Sequence, residues 1–261
     1  MSKIITKMKA FLEKYPLLNK IVRKIYIPLA HKYISLRQYL RRYRLGEWWV
    51  QREGDWAEGY WDSREHPHRS FLVERIAAFS PISSILEIGS ASGPNLYLLA
   101  KRLPHSEIRG VEINPYAVEV GNERFSREGI LNVRLSVGRA EDLSEFQDNS
   151  FDIVFTDAIL LCVSRDKIYG TIKKMVRIAR KGLIFVEWHD FDQRFNDTRG
   201  LGVFTNGYWV RDYVALLKQF VPEEQIRVTK ITESIWPDEG WMKNGALIEV
   251  LLSPKAIAQQ K

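Results

Sequence analysis

Cysteine is nearly missing from the sequence, which contains only Cys162 among its 261 residues. One thiol excludes an intramolecular disulfide and any metal site built from several cysteines. Cys162 lies in the apolar run of residues 158–163, so we expect a small, buried hydrophobic side chain. The low cysteine content is consistent with a reducing compartment, and we therefore expect a cytoplasmic protein.

Long apolar runs are also missing. The sequence has no run of about 18 uncharged apolar residues, so it predicts no membrane-spanning helix. The N-terminus does not resemble a signal peptide, because lysines at positions 3, 7, 9, 14 and 20 interrupt any apolar core. A location in the cytoplasm, with a possible peripheral position on a membrane, is the resulting expectation.

Acidic side chains are nearly absent from residues 1–45, which hold twelve Lys and Arg against the single acid Glu13. The rest of the chain holds 27 basic and 31 acidic side chains, so the net charge is +11 in this N-terminal extension and −4 in the rest, which together give the +7 of the chain. Its apolar residues recur at helical spacing, which predicts basic amphipathic helices. Three interpretations stay open: docking on anionic lipid, a helical cap or dimer contact, and nucleic-acid binding, for which no known motif is present.

Tryptophan, by contrast, is concentrated in residues 46–69, a connecting or lid segment. Four of the eight tryptophans of the chain fall there, at positions 48, 49, 56 and 61. The segment either forms the wall of a pocket or is a hydrophobic seam between the extension and the following domain. His66 and His68 lie at its end and are candidates to close over a cofactor.

From residue 70 to residue 261, short apolar runs alternate with helical patterns, which predicts one α/β domain. The seven predicted strands cover residues 85–88, 107–112, 133–136, 151–156, 183–187, 226–231 and 246–252. A helix is predicted over 208–220, and the last two strands are expected to pair antiparallel. The predicted fold is therefore a doubly wound, seven-stranded, mostly parallel sheet with an antiparallel C-terminal edge, preceded by a helical basic extension.

The first predicted strand ends in a turn of small residues. Gly89, Ala91 and Gly93 let the backbone pass close to a ligand, and ligands bind at this position in doubly wound sheets. The second strand ends in Glu112, whose carboxylate can accept both hydroxyls of a ribose. The loop and this acid together indicate a cofactor that contains adenosine.

The loop does not fit a dinucleotide. Ala91 and Pro94 occupy the second and third glycine positions of the G-x-G-x-x-G pattern, which a pyrophosphate requires. S-adenosylmethionine (SAM) has no phosphate and carries a positively charged amine. Glu87, two residues before the first glycine, can meet that amine directly or through water.

These motifs resemble those of the class I SAM-dependent methyltransferases, in particular the broad small-molecule group of the type 11 kind. The resemblance runs from about residue 70 to residue 252. Its first motif is residues 87–93, with Ala91 where glycine is commoner, and residues 151–154 and 180–184 resemble the fourth strand and the turn into the fifth. The resemblance rests on the order and spacing of all these motifs together, and no single motif is decisive.

The resemblance implies an adenine loop at residues 138–143. Arg139 stands where the family often has aspartate, which leaves Glu141 or Asp142 to accept the adenine amine. The residues that the resemblance implies for SAM binding are Glu87, Gly89, Ser90, Ala91, Ser92, Gly93, Asn95, Glu112, Ile113, Ala140, Glu141, Thr156 and Asp157.

Methyl transfer to a hydroxyl or an amine requires an aligned acceptor and a base for its proton. In this fold the acceptor lies above the carboxyl ends of the fourth and fifth strands. His189 is the first candidate base, because its ordinary pKa lies near neutrality. Asp157 is a second candidate, although lining the methionine end of SAM suits it better. A divalent ion held by His189, Asp190 and Asp192 is an alternative, but we predict no metal.

We therefore predict a SAM-dependent methyltransferase that acts on O or N of a small-molecule, glycan or lipid-linked acceptor. The alternatives are an RNA or protein methyltransferase guided by the basic extension, and a non-catalytic binding module with the same fold. The acidic balance of the domain opposes docking on nucleic acid. Tyr169 and Lys173 match the Tyr-x-x-x-Lys of short-chain dehydrogenases, but without a dinucleotide loop we interpret them as two positions on one helix face.

Overall fold

The computed structural model describes residues 45–194 and 197–252. The predicted basic extension lies outside the described residues, except for Leu45 at its end. Residues 45–50 are helical and lead into the tryptophan-rich segment.

A seven-stranded sheet forms the centre of the domain. Its strands are β1 (Ser84–Ile88), β2 (Glu107–Glu112), β3 (Val133–Val137), β4 (Phe151–Asp157), β5 (Ala179–Trp188), β8 (Ile226–Lys230) and β9 (Gly245–Leu251). They lie in the order β3-β2-β1-β4-β5-β9-β8, with parallel pairing among the first five. β9 pairs antiparallel with both β5 and β8. The predicted fold class and its antiparallel edge are confirmed.

The helices of the described residues are short, and most of them cover the sheet. They are α1 (Trp56–Asp62), α2 (Pro67–Ala77), α3 (Pro94–Arg102), α4 (Pro115–Arg127), α5 (Ile168–Ile178), α6 (Tyr213–Leu217) and α7 (Glu239–Asn244). Three of them begin with proline, whose fixed φ suits the first helical position and whose missing N–H is not needed there. In residues 45–194 and 197–252, no helix has both the length and the apolar character to cross a membrane.

Two hydrophobic clusters cover the two faces of the sheet. Because side chains alternate along a strand, Leu86 and Ile88 of β1 join the cluster under α5, while Ile85 joins the one under α2 and α3. Glu87 shares the face of Ile85 and is only 1% exposed. The alternation therefore brings a carboxyl group into the interior beside the glycine loop.

The predicted helix over 208–220 is wrong in its first part. The strands β6 (Val203–Thr205) and β7 (Tyr208–Val210) pair as a small antiparallel hairpin outside the main sheet. Asn206 and Gly207 form the turn, with φ values of 51° and 88° that suit a tight two-residue hairpin. The helix begins only after Asp212, whose side chain accepts hydrogen bonds from the backbone N–H groups of the first turn.

Replacing Gly121 with alanine is expected to lower the free energy of unfolding by about 1–3 kcal/mol, the usual effect of overpacking. Gly121 lies inside α4, where an added Cβ would meet the carbonyl oxygen of Ser92 at 2.6 Å and also the side chain of Leu135. This glycine therefore lets α4 approach the loop after β1. Urea unfolding measures the change.

Gly170 in α5 provides the matched control. Nothing lies within 4 Å of a Cβ added there. Alanine favours the helix over glycine by up to about 1 kcal/mol, so Gly170→Ala is expected to stabilise the protein. If Gly121→Ala is as stable as Gly170→Ala, the close contact between α4 and the loop is not tight in solution.

Candidate active site

A cavity of about 550 Å³ opens at the carboxyl ends of the parallel strands. This is the position and the size range at which small ligands bind in such folds. Ten of the residues predicted for SAM binding line it: Glu87, Gly89, Ser90, Ala91, Asn95, Glu112, Ile113, Ala140, Glu141 and Asp157. The structure therefore brings most of the predicted set to one surface.

Three predicted residues lie behind the cavity wall and shape it indirectly. The Ser92 hydroxyl donates to the carbonyl of Ala57 at 2.6 Å, which ties the glycine loop to α1. The Thr156 hydroxyl donates to Oε1 of Glu187 at 2.9 Å, on the neighbouring strand. Gly93 has a φ of 84° and precedes α3 as its N-cap.

Glu112 is held at the cavity edge by two backbone amides. The N–H of Ala91 donates to its Oε2 and the N–H of Asn114 donates to its Oε1, both at 2.9 Å. Burial raises the pKa of this carboxyl, and the amide hydrogen bonds oppose that rise. Each carboxylate oxygen can accept more than one hydrogen bond, so Glu112 can still receive hydroxyl groups from a ligand.

A buried polar cluster forms the far end of the cavity. Nδ2 of Asn95 donates to Oε1 of Glu87 at 2.7 Å and to Oδ2 of Asp157 at 3.0 Å. Nη1 of Arg69 reaches the same Asp157 oxygen at 3.3 Å. The second oxygens, Oε2 of Glu87 and Oδ1 of Asp157, are buried without a hydrogen-bond partner. Two unpaired carboxyl oxygens in a cavity wall suit a cationic ligand group.

The two carboxyl groups of this cluster have opposite protonation tendencies. Burial raises the pKa of Glu87 to about 8, with the negative charge of Asp157 adding to the effect. Burial alone would raise the pKa of Asp157 as well, but His68, Arg69 and Asn95 hold it well below its usual range. At neutral pH the cluster therefore contains a neutral Glu87 and an ionised Asp157.

The two histidines of the connecting segment also line the cavity. His68 is 3% exposed, and its Nε2 lies 3.0 Å from Oδ2 of Asp157. Its Nδ1 lies 2.5 Å from Nδ1 of His66. The indole of Trp236 stacks on the His68 ring with centroids 3.9 Å apart. The structure therefore links both rings, through Asp157, to the polar cluster at the far end of the cavity.

His189, the first candidate base from the sequence, is not among the residues that line the cavity. It follows β5 and turns under α6, where its Nδ1 accepts the backbone N–H of Tyr213 at 3.2 Å. Burial lowers its pKa. Asp190 pairs with Arg194 at 2.9 Å. Within the described part of the chain, no three His, Cys, Asp or Glu side chains come together as a metal site.

The predicted adenine loop, residues 138–143, places Glu141 and not Asp142 at the cavity. Nζ of Lys167 pairs with Oε1 of Glu141 at 2.7 Å, and Nη2 of Arg139 pairs with Glu47 at 2.9 Å. Asp142 turns away and accepts the Ser144 hydroxyl at 2.7 Å. Of the two predicted acceptors for the adenine amine, the structure therefore favours Glu141.

Four aromatic rings line the cavity, and we call them the aromatic wall: Trp49, Trp56, Tyr60 and Trp236. The first three contact one another edge to face. Of the two interpretations of the tryptophan-rich segment, a pocket wall agrees with this arrangement. Cys162, predicted to be buried, is partly exposed and lines the cavity too. Burial raises the pKa of its thiol to about 12, so it stays neutral.

Sequence reasoning did not identify three side chains that shape this site. Arg52 and Arg69 lie in the predicted connecting segment of residues 46–69 and belong to no motif, and Trp236 lies in a stretch without a periodic pattern. In the structure the Arg52 guanidinium lies 4.7–5.1 Å from the centres of three indole rings. Only the high tryptophan content of residues 46–69 pointed toward this region.

Comparison with known proteins agrees with these motifs. Residues 85–182 match the family model described as a methyltransferase domain. The chain is 30% identical over 110 residues to "Uncharacterized protein RP028" of Rickettsia prowazekii (strain Madrid E). That match covers 41% of this chain and 43% of the relative, so it spans less than half the length of either protein.

Solved structures share the fold at low sequence identity. A geranyl diphosphate methyltransferase in complex with SAM is 15% identical, with 78% of this chain and 93% of that chain covered and a TM-score of 0.55. The [4+2]-cyclase SpnF is 15% identical, with 71% and 82% covered and a TM-score of 0.53. The predicted class I fold is confirmed, and the match to the methyltransferase-domain model runs from β1 to the first residues of β5.

Proposed function

Because the chain carries a class I SAM-dependent methyltransferase domain, we propose that it transfers the methyl group of SAM to an oxygen or nitrogen of a small acceptor. A small molecule, or the end of a glycan or a lipid-linked molecule, has the size that the cavity admits. The observation that carries the proposal is one cavity of about 550 Å³, lined both by residues predicted to bind SAM and by the aromatic wall and two histidines. Cofactor and acceptor thus meet in one space.

The residues present fit SAM. The unpaired oxygens of Glu87 and Asp157 would hold its positively charged amine, and Glu112 would accept the ribose hydroxyls. Ile113 and Ala140 offer apolar contact for the adenine ring. When bound, SAM supplies a methyl group that is already activated by the positive charge on sulfur.

The remaining work of the protein is to hold the acceptor, exclude water and remove a proton. The aromatic wall provides flat apolar surface for an acceptor ring or chain. Trp236 is stacked both on Trp241, with ring centroids 3.7 Å apart, and on His68, at 3.9 Å, which fixes its position in the cavity wall. Binding of an anionic membrane surface by residues 1–45 stays a prediction, since it concerns residues outside those described.

Replacing Glu112 with alanine is expected to weaken the binding of SAM and of S-adenosylhomocysteine by at least about tenfold. Hydrogen bonds to a charged group contribute about 1.5–3 kcal/mol each, and the variant loses those made with the ribose. Titration calorimetry on the full chain measures both ligands. Glu107→Ala is the matched control, because Glu107 is exposed at the opposite end of the same strand.

The same experiment tests the function. Micromolar binding that falls in Glu112→Ala, but not in Glu107→Ala, justifies a screen for transfer of labelled methyl to small phenols, amines and membrane extracts. Failure of the folded protein to bind either ligand would refute the methyltransferase proposal.

A further inference from the structure

We propose that Arg52 binds an anionic group of the methyl acceptor, a carboxylate or a phosphate, so that the acceptor combines an apolar body with a negative charge. The proposal rests on the proposed function, because it names the acceptor class of that same cavity. It is carried by a guanidinium group that lines the cavity and has no carboxylate partner in the part of the chain that the structure describes.

Arg52 differs in this respect from the other basic side chains of the cavity. Four Arg and Lys side chains line it, and three of them pair with a carboxylate at 2.7–3.3 Å: Arg69 with Asp157, Arg139 with Glu47, and Lys167 with Glu141. Within residues 45–194 and 197–252 the Arg52 guanidinium forms neither an ion pair nor a hydrogen bond. Its five N–H donors are therefore available to an oxyanion, which a planar fork of donors suits.

The contacts that Arg52 does make leave those donors free. Its Cζ lies 5.1, 4.7 and 4.8 Å from the ring centroids of Trp48, Trp49 and Trp56. Such contacts involve the charge and the flat face of the guanidinium, whereas its N–H groups lie in its plane. The rings also keep water away from part of the cation, so an oxyanion bound there would be attracted more strongly than in bulk water.

The main chain of Arg52 is fixed beside a predicted SAM-binding residue. The Arg52 carbonyl accepts hydrogen bonds from Nε1 of Trp56 at 3.2 Å and from Nδ2 of Asn114 at 3.0 Å. The backbone N–H of the same Asn114 donates to Oε1 of Glu112 at 2.9 Å. Asn114 thus holds both the backbone of Arg52 and the carboxylate that would accept the ribose hydroxyls. A side chain on an ordered main chain loses less freedom when it binds a ligand.

The surroundings of Arg52 define the rest of the acceptor. Three rings of the aromatic wall, Trp49, Trp56 and Tyr60, contact one another and line the cavity together with Arg52. They provide apolar surface for the body of the acceptor, while the guanidinium provides one cationic contact. The positive charge on the sulfur of SAM favours the same kind of acceptor, because opposite charges attract strongly where water is scarce.

Nuclear magnetic resonance titration of the full chain, saturated with S-adenosylhomocysteine, tests the proposal without a known acceptor. The probes are two matched pairs, benzoate with benzamide and phenyl phosphate with phenol. The indole N–H signals of Trp48, Trp49 and Trp56 report binding at Arg52. We expect at least one anion to bind about tenfold or more tightly than its neutral partner, and the better anion identifies the acceptor group.

The two proposals fail in different ways in this experiment. A folded protein that does not bind S-adenosylhomocysteine refutes the methyltransferase proposal. A protein that binds S-adenosylhomocysteine but prefers neither anion to its neutral partner refutes the anionic acceptor alone.

Replacing Arg52 with glutamine removes the charge. We expect the better anion to lose about tenfold or more in affinity, while the binding of the neutral probe and of S-adenosylhomocysteine stays unchanged. Arg64→Gln is the matched control, because the Arg64 guanidinium also lies over aromatic rings, at 4.6 Å from Trp61 and 4.9 Å from Tyr97, but does not line the cavity. If Arg52→Gln does not fold, Arg52→Met, whose apolar chain can stay among the indoles, takes its place with the same expectation.

Two results with the variants contradict the proposal. Anion affinity that falls equally in Arg52→Gln and Arg64→Gln shows that stacked arginines only stabilise the aromatic segment. Weaker binding of S-adenosylhomocysteine in Arg52→Gln, with the preference for the anion retained, assigns the guanidinium to the carboxylate of the cofactor and not to the acceptor.

Discussion

Replacing Glu87 with glutamine is expected to stabilise the SAM-free protein by roughly 5 kcal/mol above pH 8. Burial raises the pKa of Glu87 in the folded protein to about 8, against 4.5 when the carboxyl is free. Between these two values the unfolded chain releases this proton and the folded protein retains it. The contribution of Glu87 to the free energy of unfolding is therefore greatest below pH 4.5 and is lost as the pH rises to about 8. Glutamine cannot ionise, so the variant keeps this stability as the pH rises.

The same substitution is expected to weaken SAM binding by roughly 10- to 100-fold, because it removes the charge that would meet the ammonium group. A bound cation favours ionised Glu87, so binding to the wild type should release a proton at pH 7. Calorimetry in buffers of different ionisation enthalpy detects that proton. The variant is therefore expected to be more stable and to bind its cofactor less well.

Urea unfolding at pH 6 and pH 8.5 measures the stability difference between Glu87→Gln and the wild type. Burial also raises the pKa of Glu187, to about 7, so the stability of both proteins depends on the ionisation of this residue. That effect cancels when the free energy of unfolding of the wild type is subtracted from that of the variant at each pH. Glu128→Gln, an exposed site at the end of α4, is the control. If the wild type, Glu87→Gln and Glu128→Gln all lose the same stability between pH 6 and pH 8.5, Glu87 has an ordinary pKa in the folded protein, and the prediction is wrong.

The sheet and half of the site could be predicted because their signals are local in sequence. Each of these signals is contained in a few consecutive residues: the apolar runs of the strands, the small residues from Gly89 to Gly93, and the acid Glu112 at the end of β2. Parallel strands bring their carboxyl ends to one edge, so motifs at those ends converge without further information. This is why Glu87, Glu112 and Asp157 could all be assigned to one cavity.

The other half of the site depends on contacts between distant parts of the chain. His68 and Asp157 are 89 residues apart, and Trp236 comes from a stretch with no periodic pattern. His189 suited the role of base by its position after β5, but the hairpin of β6 and β7 and the following α6 cover it. Sequence reasoning about strand ends could not foresee that covering, because the residues of the hairpin were predicted to be loop and helix.

Asp157→Ala is expected to lower the free energy of unfolding by about 3–5 kcal/mol, because it leaves the buried charge of Arg69 without its partner. Arg69 is 6% exposed, and its other hydrogen bonds go to neutral groups such as Ser63 and Asn95. Since the pKa of Asp157 is depressed in the folded protein, its contribution is present above the ordinary carboxyl pKa and is lost as the pH falls below it. The variant should therefore lose less stability in acid than the wild type.

Asp152→Ala separates stability from function. Asp152 is a buried carboxylate at the opposite end of β4, where it pairs with Arg180 and Lys181 at 2.7 and 3.2 Å. Its removal should destabilise the protein and leave SAM binding unchanged, whereas Asp157→Ala should impair both.

The double variant Asp157→Ala with Arg69→Met should recover part of the stability, because the unpaired charge is gone, but not SAM binding. If Arg69→Met brings no recovery, Arg69 is hydrated in solution, and the loss in Asp157→Ala comes from its hydrogen bonds to His68 and Asn95.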